Sequence, residues 1–145
     1  MLVLAGRVGN LSIAVPIAAL ERVLPMAMLT PLPEMPPTIV GMLNLHGAGL
    51  LVVNPRPLLG LPTPPYLPDQ RLIVLRLTTR FVLWVDTVER IVQTSFHDAP
   101  QWGTTSERAL VRYTADLEGD TTLVLSLEAL EPGSAGTYRE DAGRA

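Results

Sequence analysis

The chain reads as an all-β protein of barrel or sandwich architecture. Two observations predict it: apolar residues recur with period two in short runs, and turn residues punctuate those runs every several positions. A third is the scarcity of helical periodicity. About nine or ten short strands are expected, with no repeat of fixed period. At 145 residues the chain suits one compact domain or two small fused subdomains.

Leu2 to Ala5 and Asn10 to Val15 read as two strands around a Gly6–Gly9 turn, where glycine supplies the positive φ. Pro16 is suited to the first turn of a helix, and Ile17, Leu20 and Leu24 follow at helical spacing. Pro25 stops that helix, so one or two turns are expected, then an extended run from Arg22 to Leu29. "TPLPEMPPTIV" is a stiff connection, because each proline also restricts the residue before it. "IVGMLNL" and "LLVVN" are strands joined by a Gly47–Gly49 turn, and "RPLLGL" forms one helical turn. "PTPPYLPD" is a second stiff connection. Subdomain seams are therefore expected near 30–38 and 61–69, within the stretch holding 11 of the 14 prolines.

In the second half, "QRLIVLRL" and "RFVLWVD" form a hairpin around "TTR". "TVERIVQTS" adds a third strand rich in β-branched residues. "FHDAPQWGTTSER" is a polar loop carrying Phe96 and Trp102. "ALVRYTADL" and "TTLVLSL" form a last hairpin around Glu118-Gly119-Asp120, and Ser126 is placed to cap a short final helix. Residues 132–145 are poor in apolar side chains and are expected to be a disordered tail.

Composition excludes several functions. Hydrophobic residues make up 48% and charged residues 17%, which suggests apolar surface covered by partners. The net charge is -3, and all 11 basic residues are arginine without a basic stripe, so no nucleic acid is expected. There is no cysteine, hence no disulfide, thiol nucleophile or thiolate metal site, which fits a cytoplasmic location. Glu21 and Arg22 cut short the only signal-like core, and no run approaches the ~20 apolar residues of a membrane helix, so no direct membrane insertion is expected.

Candidate chemistry is sparse. His46 and His97 lie apart and in no metal-ligand spacing, so no metal is expected; His97-Asp98 reads as a polar loop pair. Ser12, Ser95, Ser106, Ser126 and Ser134 lack a nucleophile-elbow context. Gly47-Ala48-Gly49 lacks the third glycine and the helix of a phosphate loop. Asp86 and Glu89 are the nearest carboxylate pair, read as the solvated end of a strand. Trp84 reads as core, and Trp102 as a packing lid or an exposed anchor. A small apolar β domain with no catalytic constellation points to binding. No catalytic residue and no cofactor are expected.

"GMLNLHGAGLLVVNPRPLLGL" resembles the CheW family signature, with Gly41, Asn44, Leu45, Gly47, Val52, Val53 and Arg56 on matching positions. "AVPIAALERV", "LTPLPEMPPTIVG", "RFVLWVDTVERIV" and "LEGDTTLVLSLEAL" extend the resemblance in order from Leu2 to about Glu131. The resemblance implies a single domain over 1–131, built of two interleaved SH3-like five-stranded β-barrels around a shared hydrophobic core. It implies a non-catalytic adaptor between the cytoplasmic tip of chemoreceptors and the regulatory domain of a CheA-type histidine kinase. A divergent module with another signalling partner, or a small-molecule-binding barrel, is the alternative.

Several positions depart from the family pattern. His46 replaces an arginine, Leu51 a proline, Asn54 and Ser126 acidic residues; Arg22 stands where glutamate is common, and Tyr113 where glycine is often found. On the resemblance, Leu20, Arg22 and Val23 with His46 are candidates for the receptor-side groove. Gly41, Asn44 and Gly47 set the turn that presents His46. Arg56 is a candidate for either a structural ion pair or an interface contact.

Overall fold

The period-two alternation sorts side chains onto two sides of each strand. In the computed structural model, which describes residues 1–99 and 110–133, Leu72 and Val74 enter one core while Ile73 and Leu75 enter another. The elements run β1 (Leu2–Val8), β2 (Leu11–Pro16), a 3-10 turn (Ile17–Ala19), β3 (Leu20–Pro25), β4 (Ile39–Leu45), β5 (Ala48–Val53) and a 3-10 turn (Arg56–Leu59). They continue as β6 (Arg71–Arg76), β7 (Arg80–Val85), β8 (Thr87–Gln93), β9 (His97–Asp98), β10 (Val111–Leu117), β11 (Asp120–Leu125) and helix α1 (Leu127–Leu130).

The strands form a six-stranded sheet, β8-β1-β2-β11-β10-β9, and a five-stranded sheet, β3-β6-β7-β5-β4. The expected five-stranded barrels are therefore not found: neither sheet closes on itself. Closure requires the outermost strands to pair. In the five-stranded sheet the chain after β3 is rich in proline, which has no N–H to give, and it meets β4 only through the bridge Thr30↔Met42. In the other sheet the outermost strand, β9, has two residues and, among the described residues, pairs only with β10.

The largest core lies between the sheets and includes Ile13, Val15, Phe81, Leu83, Leu110 and Leu125. A second core, with Val52, Val74 and Trp84, belongs to the five-stranded sheet alone, and a third, smaller one, with Ala14 and Val124, to the other sheet. Strands β6 and β7 are buried on both faces for this reason.

Both proline-rich connections join strands of the five-stranded sheet; the chain changes sheet at 16–20 and again at 85–87. The fold is built twice. Val52↔Val82 joins β5 to β7 in parallel as Val124↔Ala14 joins β11 to β2. Gly41↔Val52 matches Tyr113↔Val124, each beside a register shift. Arg22↔Val74 matches Arg90↔Ala5, with the bulged residue Glu21 in one strand and Glu89 in the other. Each unit is divided between the sheets after its second strand: β3, β4 and β5 lie in the sheet that does not contain β1 and β2, and β8 to β11 in the sheet that does not contain β6 and β7.

Local differences from the sequence reading have local causes. The first turn is Gly9-Asn10, not Gly6–Gly9; Gly6 lies within β1, where a Cβ would sit 2.5 Å from the Thr87 carbonyl oxygen. The helix after Pro16 shrinks to one 3-10 turn because β3 starts pairing with β6 at Leu20. His97 and Asp98 form β9 instead of loop. Ser126 is the residue before α1, but its hydroxyl contacts Glu128 Oε1 at 3.4 Å and makes no hydrogen bond to the helix backbone. Trp102 and residues 134–145 of the tail lie outside the described residues.

Candidate partner-binding surface

The hairpin from β4 to β5 turns at His46 and Gly47, whose φ values are 52° and 86°. Two successive positive φ angles give the turn that follows the twist of the flanking strands. Gly47 adopts its angle without side-chain strain, and Asn44 Oδ1 accepts the Gly47 N–H at 3.0 Å. The turn is thus 46–47 rather than 47–49. Gly49 lies in β5, where a Cβ would sit 2.6 Å from Met42 Sδ. Gly41 is buried, and a Cβ there would stand 2.7 Å from the Thr30 carbonyl oxygen. Gly41 therefore lets the proline-rich connection approach β4 and form its bridge. His46 is exposed at the tip and has no hydrogen bond or ion pair among the described residues.

Leu20 is half-buried, and Arg22 and Val23 are exposed on β3, the edge of the five-stranded sheet. Leu20 opposes Leu75, and the β4–β5 turn projects past that same end of the sheet from the opposite edge. Among the described residues no hydrogen bond or ion pair joins His46 to β3. Glu21, between Leu20 and Arg22, is gripped by Arg80 at 3.0 and 2.7 Å and by Arg76 at 3.5 Å. The hydrogen bond from Arg80 holds the Glu21 carboxyl below its ordinary range, against a smaller opposing effect of burial. A lowered folded-state pKa contributes stability above the unfolded value of about 4.3, lost as pH falls through the folded value. Glu21→Gln should accordingly flatten the acid limb of a stability-versus-pH curve below about pH 4, measured by thermal melts at stepped pH. An unchanged limb would place the acid sensitivity elsewhere.

Arg56 lies inside. Its side chain is 1% exposed and gives a partner no contact; NH2 reaches Asp86 Oδ1 at 3.1 Å and NH1 donates to Asn54 Oδ1 at 3.1 Å. The guanidinium carbon stands 4.2 Å from the Trp84 ring centroid, a cation–π contact. Its Nε is buried without a hydrogen-bond partner among the described residues. Burial lowers the Arg56 pKa, and Asp86 opposes that shift. Trp84 Nε1 donates to Gln70 Oε1 at 3.0 Å, and Gln70 Nε2 donates to the Pro65 carbonyl at 2.9 Å. Asn54 Nδ2 donates to Thr63 Oγ1 at 2.9 Å. The network fastens the second proline-rich connection to the sheet. Of the two roles open to Arg56, the structure shows the internal ion pair.

The carboxylate pair Asp86 and Glu89 is divided between different cations. Asp86 serves Arg56 and accepts the Gly9 N–H, whereas Glu89 is 3.5 Å from Arg7. His97 and Asp98 pair with Thr114 and Tyr113 in the sheet. Ser12 Oγ shares a hydrogen bond with Thr122 Oγ1 at 2.9 Å. Among the described residues no group of three or more His, Cys, Asp or Glu could hold a metal ion.

One feature escaped the sequence. A mostly apolar groove of about 270 Å³ opens beside α1, lined by Met1, Pro16, Leu77, Phe96, Tyr113 and Leu127 among others. The rings of Phe96 and Tyr113 stack with centroids 6.0 Å apart. Tyr113 in place of a common glycine was the one available signal. Leu2 and Ile91, 46% and 54% exposed, add apolar surface on neighbouring strands.

Single apolar side chains exposed on β1, β3 and β8 (Leu2, Val23 and Ile91) and a presented turn give the molecule surface of the kind protein partners cover. The model of the CheW-like domain family matches residues 3–132, and the chain belongs to that family. It is 29% identical over 133 residues to the chemotaxis protein CheW of Rhizobium meliloti, covering 89% of this chain and 86% of that protein. The crystal structure of the scaffolding protein TtCheW from Thermoanaerobacter tengcongensis shares the fold. It superposes with a TM-score of 0.83 at 22% identity, over 96% of this chain and 97% of that one. Among the described residues no helix is long and apolar enough to cross a membrane.

Proposed function

We propose that Leu20, Arg22 and Val23, with His46, meet the cytoplasmic tip of a chemoreceptor, and that another face meets the regulatory domain of a CheA-type kinase. The chain is a non-catalytic adaptor that couples chemoreceptors to that kinase, and it works in the cytoplasm. The observation that carries this reading is the family match across residues 3–132. Supporting it, β3 is an edge strand whose Val23 is 36% exposed. Residues 1–131 act as one domain of two interleaved units, with 132–145 as an appended tail. Gly41, Asn44 and Gly47 serve the surface by shaping the turn.

The test is co-purification with the receptor fragment and the kinase regulatory domain from the same genome. Val23→Asp should weaken receptor binding about tenfold or more, since a charge is placed in an apolar contact. Its melting temperature should stay within a few degrees, because Val23 packs little. Wild-type chain that captures neither partner would sink the adaptor reading. Unchanged receptor binding by Val23→Asp would move the receptor site off β3.

A further inference from the structure

We infer that the corner formed by Arg22 and His46 receives a carboxylate from an acidic segment of the partner. The doubled fold places matching residues at matching positions in its two halves. Register matches Arg22 with Arg90, Glu21 with Glu89 and Arg76 with Arg7. It also matches the turn residues His46 with Glu118 and the strand starts Ala48 with Asp120. Each pair can therefore be compared across the two halves of the molecule.

In the six-stranded half the corner is closed internally. Arg90 NH2 is 3.0 Å from Glu118 Oε1, and Arg7 lies 3.5 Å from Glu89 and 3.7 Å from Asp120. In the five-stranded half only part of this pattern survives. Arg76 lies 3.5 Å from Glu21, as Arg7 does from Glu89. The turn carboxylates are gone, replaced by His46 and Ala48. Arg80 adds a further cation and takes both oxygens of Glu21. Arg76 and Arg80 thus share one acid, and Arg22 has no ion pair or hydrogen bond among the described residues.

The site has the shape of an ion pair with one member missing. Arg22 and His46 are both exposed. A carboxylate entering where Glu118 stands in the other half would meet the Arg22 fork and a donor from the imidazole ring. The fitting ligand is an acidic peptide segment. Its assignment to the receptor rests on the adaptor reading above; the charge vacancy does not.

The test uses the full chain and a blocked tetraglutamate peptide as probe, with tetralysine as control, at low salt. Arginine side-chain Nε–Hε resonances are followed by NMR. The Arg22 signal should shift with tetraglutamate, while the Arg90 signal, already paired, should not. His46→Glu should cut the apparent affinity of Arg22 for the peptide by about threefold, the order expected of one exposed ion pair. Glutamate folds at this position, since Glu118 holds φ 54° in the matching turn. Glu118→His should do the reverse and make Arg90 respond. A silent Arg22, equal shifts at Arg22 and Arg90, or an affinity unmoved by His46→Glu would each overturn the inference. Peptide binding with failed receptor capture counts against the adaptor reading alone; receptor capture with a silent Arg22 counts against this inference alone.

Discussion

Asp86→Ala should lower the unfolding free energy by about 3 kcal/mol, the lower end of the cost of stripping a buried charge of its partner. The buried member is Arg56, whose NH2 has Asp86 Oδ1 as its ion-pair partner at 3.1 Å. The Asp86 side chain is 27% exposed, so water relieves part of the loss and the upper end of the range does not apply. The substitution also takes away the acceptor of the Gly9 N–H, loosening the turn between β1 and β2. Urea unfolding of Asp86→Ala beside the double variant Arg56→Met/Asp86→Ala separates the causes. Removing both charges should recover part of the loss, because no uncompensated guanidinium remains. A single variant within about 0.5 kcal/mol of wild type would mean that Arg56 is stabilised mainly by Trp84 and Asn54.

Trp84→Ala should cost about 4 kcal/mol, within the span found for deleting a large buried aromatic. Trp84 is 1% exposed and anchors the core of the five-stranded sheet. Its indole does three further things. It lies under the Arg56 guanidinium, donates to Gln70, and packs against Tyr66 with centroids 4.9 Å apart. Trp84→Phe keeps the ring but leaves Gln70 Oε1 with only the Leu67 N–H at 2.9 Å, so it should cost about 1–2 kcal/mol. Because Trp84 and Asp86 both hold Arg56, their effects should not add. Equal losses for Trp84→Ala and Trp84→Phe would locate the stabilisation in the hydrogen bond rather than in packing.

The strands were readable because short apolar runs bounded by turn residues are a local property. Leu72 to Leu75 and Phe81 to Val85 are such runs, unbroken because both faces of β6 and β7 are buried. Turn positions were less so. Gly49 looks like a turn residue, yet the packing of Met42 across the hairpin decides its use. The doubling of the fold was hidden for a related reason. "LERV" on β3 and "VERI" on β8 match, as do "NLHG" and "DLEG", but the connections between matching pieces differ in length. The Gly9-Asn10 turn has two residues where Leu77–Thr79 has three, so no fixed period exists. Arg56 could not be assigned because its environment comes from Asp86 and Trp84, one connection and two strands further on. Sheet closure was inferred from likeness, and only the pairing of the outermost strands could correct it.

The division of each unit between the two sheets bears on the order in which the molecule can be completed during synthesis. The five-stranded sheet is one uninterrupted stretch, from Leu20 to Val85, and can assemble as soon as it leaves the ribosome. The first hairpin, β1 with β2, is made before it but has no neighbours until β8 and β11 emerge. The earliest part of the chain is therefore among the last to find its place, and its apolar side chains wait exposed meanwhile. Pulsed hydrogen exchange during refolding should show amides of β6 and β7 protected ahead of those of β1 and β2.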